Sequence, residues 1–519
     1  MACFAWATTA PSERGGSNGR KVNLISLDDS YAPSKTVEQT RRLVESDEVA
    51  LIFSSIGTAH DTETIAYQAG TTGTKIPRLR AQSLRFHKFS LAYCWRGARV
   101  QKTARVSSRG FRMAASVSTP LTAPAPVALP AALVKACFVL FVINASFFPT
   151  AYFAHWWIYD ADGLGIPTDF VNVWAAGRLV LEGHPAQAYD WVIQKQVEVA
   201  ELGQDFVGYF AWHYPPPFLF VASLLAQFPY AVGFIGWMVV SILPYLAVMR
   251  GIVGCNFGLL LALAIPTLFS NVFVGQNGFL TAALVGGTLY LLPVRPVLSG
   301  ICLGLLSYKP QYGLLFPLVL IAAAQWRAFL VAAVTTVVLA LTSWLAFGTE
   351  SWQAFFHWMP MFSQAFLTEG KAPWWKMHSI FGMVRYLGGS EQLAWGFQWV
   401  LTASVAVVLT LMWRGRVPYT LKAAALAAGT LLTTPYLFMY DLMVLAIPVA
   451  FLVRIGLRDG FRAYELPALG VAGALIIGFI FTGVPLGFGA TLIVAGLVFR
   501  RAGSWWRREP APAWVAAGA

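Results

Sequence analysis

From about Pro126 to Phe499 the chain is a succession of apolar runs separated by short polar or basic connectors. Runs of roughly 17–25 residues are long enough to cross the hydrocarbon core of a bilayer as helices. They place a first span at 128–152 and later segments at 214–229, 231–249, 255–273, 277–293, 296–308, 310–325 and 327–347. Further segments follow at 393–413, 418–435, 440–455, 464–482 and 485–500. Two polar, aromatic stretches interrupt the series, at 154–213 and 348–390. The expected fold is an all-α polytopic membrane protein of roughly 11–13 transmembrane helices with a large first exterior loop.

The basic residues orient this series. Arginines fall in the connectors at Arg250, Arg295, Arg327, Arg414, Arg416, Arg454, Arg458 and Arg462, and again at Arg500, Arg501, Arg507 and Arg508. Placing them in the cytoplasm puts loop 348–390 and the turn 435–440 outside, and the basic stretch before the first span puts loop 154–213 outside too. The parity does not close. An odd number of crossings is required between Tyr214 and Arg250, and two segments are present. One of them is expected to be a half-span, or Arg250 lies outside.

Within the first loop, Phe170, Val173, Trp174, Gly177 and Leu181 recur at helical spacing, which predicts an amphipathic helix over 170–182. Gly183 fits its C′ position, and such a helix is expected to lie along the membrane surface. Thr168 or Asp169 would be its N-cap, a role that needs no catalysis. Asp169 is nevertheless the leading candidate for a catalytic base. Asp160, Asp162, Glu182 and Asp205 are weaker alternatives.

Residues 1–112 read differently. No apolar core of a signal peptide follows Met1. Over 19–79 a strand pattern (KVNLISL), an amphipathic helix (KTVEQTRRLVES) and a buried strand (VALIFSS) succeed one another as a βαβ unit. Residues 78–112 are Arg-rich without periodicity. This extension is expected to be a small α/β fragment plus basic linker acquired by fusion or by a misplaced gene boundary, with Met113 as the native start. The alternative is a disordered basic cytoplasmic tail. The membrane domain is then 113–503, with a cytoplasmic tail at 504–519.

Composition agrees with the pattern. Of 519 residues, 57% are hydrophobic and 12% charged, with a mean hydropathy of +0.60. A soluble domain carries about a quarter charged residues. The net charge of +13 is explained by the connectors and the N-terminal region, so nucleic acid is not an expected partner. Cys3, Cys94, Cys137, Cys255 and Cys302 are scattered without metal-ligand spacing, and neither a disulfide framework nor a metal site is expected.

Several motifs occur in order. They are TDFxxxWAAxRLxLEGxPxxAYD from Thr168 to Asp190, HYPPPF from His213, GQN at Gly275–Asn277, and SGxxLGLLSYKP at Ser299–Pro310. HSIFGMVR at His378–Arg385 and TPYxxxYDLxxLxxP at Thr434–Pro448 complete the set. Over about 120–500 the chain thus resembles glycosyltransferase family 87, integral membrane enzymes of the GT-C type related to mycobacterial polyprenol-phosphomannose-dependent mannosyltransferases. Residues 19–79 separately resemble a fragment of the solute-binding proteins of branched-chain amino acid ABC transporters, where Ser55 and Thr58 would match ligand-contacting positions. That fragment lacks the second lobe and is too small to bury a core alone.

The first resemblance implies a bacterial inner-membrane enzyme whose active site faces the exterior. It would move a hexose from a polyprenyl-phosphate sugar to a lipid or glycan acceptor with inversion. One carboxylate suffices for direct displacement, taking the acceptor proton as the bond forms. Retention would want a second carboxylate nearby. Asp169 in the first exterior loop takes that role. The leaving phosphate needs cations or donors near the membrane face. Lys309, His378 and Arg385 are the candidates, although His378 stands where the family more often has Asn. Gln276, Asn277, Tyr440 and Asp441 are candidate sugar or donor contacts at span ends. Each has an ordinary alternative: an interface lysine, an interfacial His beside Trp374 and Trp375, an anchoring arginine, or a capping aspartate. No metal is expected, since such a donor carries a single phosphate. The competing function is a multi-pass lipid or solute transporter, for which internal repeats and midplane charges would be the sign.

Overall fold

The computed structural model describes residues 129–506. The βαβ pattern at 19–79, the basic stretch 78–112 and most of the tail after residue 503 lie outside the described residues. Every regular element among these is a helix. Two isolated bridges, Trp157 with Tyr159 and Tyr159 with Gly165, fold the start of the first loop. In chain order the helices are α1 (Ala131–Phe153), α2 (Phe170–Leu181), α3 (Trp191–Leu202), α4 (Leu219–Leu225), α5 (Tyr230–Val253) and α6 (Phe257–Ala264). Next come α7 (Thr267–Val274), α8 (Gly278–Leu291), α9 (Pro296–Leu305), α10 (Leu315–Ala322), α11 (Trp326–Ser363) and α12 (Ile380–Tyr386). The last five are α13 (Glu391–Arg414), α14 (Tyr419–Leu432), α15 (Ala446–Asp459), α16 (Glu465–Thr482) and α17 (Leu486–Trp506).

The apolar segments divide into two kinds. Among the described residues, seven helical stretches are long and apolar enough to cross a membrane, or eight if α6 and α7, bent by 65° across Ile265–Pro266, form one span. The others are short. Helices α8 and α14 have 14 residues each, roughly 21 Å at about 1.5 Å per residue. Two of the short helices, α8 and α14, are covered nearly throughout, whereas few residues of the long α1 are buried. A backbone enclosed by protein need not reach both bilayer faces, because its end groups bond to neighbouring protein instead of lipid. The small residues Ala423, Ala424, Ala425, Ala427, Ala428 and Gly429 let α14 sit close among its neighbours.

Two ends of the bundle can be told apart by contacts. At one, Arg454 donates to the Ile252 carbonyl (3.0 Å) and Tyr419 donates to the Leu289 carbonyl (2.5 Å), beside the connectors that carry Arg250, Arg295, Arg414 and Arg458. At the other, Trp157 bonds the Phe273 carbonyl (3.0 Å), the His378 N–H bonds the Leu437 carbonyl (2.7 Å), and Ser379 bonds the Pro435 carbonyl (2.5 Å). The segment 214–229 is not a span. It forms a turn at Pro216–Phe218 and then the seven-residue α4, leaving α5 as the single crossing before Arg250. That is the odd number the arginine pattern required.

The first loop differs from its expected form. Helix α2 is not a surface helix: Phe170 to Gly177 and Leu179 are all buried. Gly177 is why it can sink so far, since a Cβ there would lie 2.1 Å from the Ala222 carbonyl oxygen on α4. Gly183 does follow the helix with a left-handed φ of +86°, as the sequence suggested. The N-cap expectation is corrected. Asp169 occupies the N-cap position but its side chain makes no capping bond, and the Thr168 hydroxyl instead meets the Tyr230 hydroxyl at 3.4 Å. Both side chains are drawn away by tertiary partners that outcompete the helix end.

Candidate functional site

The uncapped Asp169 carboxylate lies half-buried at the start of α2. Its Oδ2 accepts a hydrogen bond from Gln276 Nε2 at 3.1 Å. Gln276 reaches it because the chain between α7 and α8 turns at Gly275 with a left-handed φ of +72°. A Cβ on Gly275 would lie 2.6 Å from Phe170 Cβ, so only glycine lets this turn seat against α2. Gln276 in turn accepts from the Tyr214 hydroxyl (3.1 Å), and Asn277 Nδ2 donates to that same hydroxyl (2.8 Å). Three pieces of chain, distant in sequence, thus meet at one carboxylate through a continuous hydrogen-bond network. Gln276 and Asn277 are both buried, and Asn277 Oδ1 has no bonding partner among the described residues.

Burial pushes the Asp169 carboxyl above its ordinary range. The Gln276 bond opposes this, as does the positive field of Lys376, while Asp441 adds to the rise and Lys309 offsets it slightly. The result is a carboxylate with few compensating bonds, a stronger proton acceptor than a solvated one.

Lys309 and Asp441 come together from 132 residues apart and form an ion pair at 2.7 Å, with both side chains almost fully buried. Helix α9 passes into a 3-10 turn at Leu306–Tyr308, and Pro310 prevents the helix from running on, which directs Lys309 inward. Lys309 is therefore not an interface lysine. Asp441 uses its other oxygen to accept the Phe438 N–H (3.1 Å), so it stabilises the start of the 3-10 turn that precedes α15 as well as pairing with Lys309. The ammonium is ringed by tyrosines, with the centroids of Tyr440, Tyr312 and Tyr214 at 5.3, 5.9 and 6.0 Å. Tyr440 itself stacks on Phe438.

His378 and Arg385 are placed differently from the expectation. His378 is wholly buried, packs on Phe479, and accepts the Gly487 N–H at Nδ1 (3.3 Å). Burial lowers its pKa to about 3, so the ring is neutral, and its Nε2 has no partner among the described residues. It is no interfacial cation. Arg385 donates to the carbonyls of Gly389 (3.1 Å) and Thr368 (3.2 Å), with its guanidinium 4.7 Å from the Trp374 ring centroid. Its charge clamps the second loop.

The other acids have structural partners. Asp160 accepts the backbone N–H groups of Asp162 and Leu164. Glu182 pairs with Arg178 at 3.2 Å and Asp205 with Lys195 at 3.1 Å, both on the surface. Two residues escaped the sequence reading. Glu198 on α3 is fully buried, and burial lifts its carboxyl to about 9. Its helix, WVIQKQVEVAEL, carries charged or amide side chains at five of its twelve positions, and no motif marked it. Lys376, in the turn Trp374–Lys376, acts on the Asp169 carboxyl more strongly than Lys309 does. No motif marked it. His213 stacks on Phe362 at 4.5 Å and, with its pKa lowered to about 4 by burial, lines the same region as a neutral ring.

Compared with known proteins, the chain has no match among curated proteins or solved structures. The solute-binding-protein resemblance of 19–79 is not borne out. One family does match. The matched stretch begins at the HYPPPF turn and holds Gln276, Asn277, Lys309, His378 and Arg385, while Asp169, Tyr440 and Asp441 lie beyond its two ends. Over residues 212–435 the chain matches the model of glycosyltransferase family 87, and seven helical stretches among the described residues are long and apolar enough to make this a multi-pass membrane protein.

Proposed function

We propose that the protein transfers a hexose from a polyprenyl-phosphate sugar to a lipid or glycan hydroxyl, with Asp169 as the base. The observation that carries this reading is the state of Asp169: its carboxylate makes no capping bond, has one hydrogen bond, and is held by Gln276 within a polar network. In the proposed step the acceptor oxygen attacks the anomeric carbon as Asp169 removes its proton. The bond to the phosphate oxygen breaks from the opposite face, and polyprenyl phosphate leaves with the electron pair. The sugar is inverted and Asp169 later returns its proton to solvent. The unpartnered Asn277 Oδ1 and the Tyr440 ring are suited to sugar hydroxyls and to the ring face. The buried Lys309–Asp441 pair supplies a rigid floor, and neutral His378 has a free N–H to offer. Arg385 holds the second loop in place.

The site end is proposed to face the exterior of a bacterial inner membrane, because the arginine-bearing connectors gather at the opposite end. The test is sugar transfer in membranes from a panel of polyprenyl-phosphate sugars, wild type against Asp169→Asn. Removing a general base slows transfer by about 10²–10⁴-fold. Equal rates in the two proteins would refute the assignment.

A further inference from the structure

A donor that leaves as a phosphate must bring a negative charge to the site, and the cations first suspected of meeting it are already engaged. Lys309 is neutralised by Asp441 at 2.7 Å and is buried. Arg385 is committed to two carbonyls and the Trp374 face. His378 is buried and neutral.

Lys376 is in a different position. It closes the turn Trp374–Lys376 and is half-buried, and it makes no ion pair among the described residues. Its ammonium lies 5.3 Å from the Trp375 ring centroid. Its positive field reaches the Asp169 carboxyl and opposes the effect of burial there. The turn is fixed to the site. The next residues bond the segment that leads into Asp441, through His378 N–H to Leu437 (2.7 Å) and Ser379 to Pro435 (2.5 Å). Two tryptophans precede Lys376 directly, and paired indoles favour the depth of the lipid headgroups. A lipid-borne phosphate sits at that depth, and a lysine on a flexible stem serves phosphate as a compact point charge.

We propose that Lys376 is the ligand of the donor phosphate, holding the polyprenyl-phosphate group beside Asp169. The proposal rests on the glycosyl-transfer reading above and adds to it the residue that recognises the donor. Lys376 would carry the leaving group's charge while Asp169 carries the acceptor's proton, which keeps the two charges that develop in the step on separate residues.

The experiment compares wild type, Lys376→Met, Lys376→Arg and Lys371→Met in lipid nanodiscs. Lys371 is a control of the same charge in the same loop, exposed and 3.5 Å from Glu369. Two quantities are read: binding of polyprenyl phosphate without sugar, and the donor KM and kcat of sugar transfer. The expected result is binding weaker and KM higher by about tenfold or more in Lys376→Met, the scale of losing one charge-assisted contact. Lys376→Arg should recover most of this, Lys371→Met should match wild type, and all should unfold at similar temperatures. Unchanged binding in Lys376→Met overturns the proposal even if transfer is observed. Transfer absent from wild type, with binding still dependent on Lys376, would sink the transfer reading and leave this site standing. Inorganic phosphate in the same binding assay separates the two sources of such a group. Displacement by it at concentrations comparable to the lipid would overturn the lipid assignment.

Discussion

The Lys309–Asp441 pair allows a prediction with a worked magnitude. Two unit charges 2.7 Å apart attract by about 6 kcal/mol at an effective dielectric of about 20. Most of that offsets the cost of taking both ions out of water, so the pair itself contributes little net stability. Breaking it is another matter. Lys309→Met leaves Asp441 buried without its cation, and Asp441→Leu leaves a buried ammonium. Each should destabilise the protein by about 3–5 kcal/mol. The double variant removes both charges and should cost far less than the sum of the two single changes. The assay is thermal or denaturant unfolding of the purified protein in detergent or nanodiscs, completed as a double-mutant cycle. Additive losses, with the double variant as unstable as both changes combined, would refute the buried-pair account and return Lys309 to the list of donor-binding cations.

Other outcomes follow from the same geometry. Burial holds Glu198 protonated, with its pKa raised from an ordinary 4.5 to about 9. A raised carboxyl favours folding below its unfolded value, and that stability is lost as pH climbs toward the folded one. Stability should therefore fall between roughly pH 5 and 9, by at most about 1.4 kcal/mol per unit. Glu198→Gln should flatten this dependence in a pH series of unfolding curves, and an unaltered slope would contradict it. Gly275→Ala should cost about 1–2 kcal/mol for the left-handed backbone alone and more for the contact with Phe170. It should also displace Gln276 and reduce transfer, and a fully active, equally stable variant would show that the turn is not needed.

The membrane class was legible from the apolar runs, and the end of α2 from Gly183, because both are local patterns. Asp169 was legible as an acid in the first loop. What it bonds was not, since Gln276 lies 107 residues away and only the fold brings it near. Lys309 and Asp441 were each visible as polar residues at segment ends, but nothing in either neighbourhood announces the other. Helix α2 looked amphipathic because Phe170, Val173, Trp174 and Leu181 share a face. Gly177 on that same face lets α4 close against it, and Ala175 and Ala176 beyond it are buried as well. Glu198 was hidden because an acid on a short amphipathic helix usually faces solvent. The short central helices were read as spans because hydropathy measures apolarity and says nothing of whether lipid or protein surrounds a segment.

Those short helices have a further consequence. Long helices such as α1, α5 and α11 keep apolar side chains exposed on the outside of the bundle, while the truncated α8 and α14 are enclosed by protein. The level at which the carboxylate stands is then fixed from inside by the lengths of α8 and α14, and the surrounding oil has little say in it. The protein carries its own shoreline: in the proposed reaction a lipid-borne sugar would meet the carboxylate at a depth set by the protein, whichever membrane it is set in.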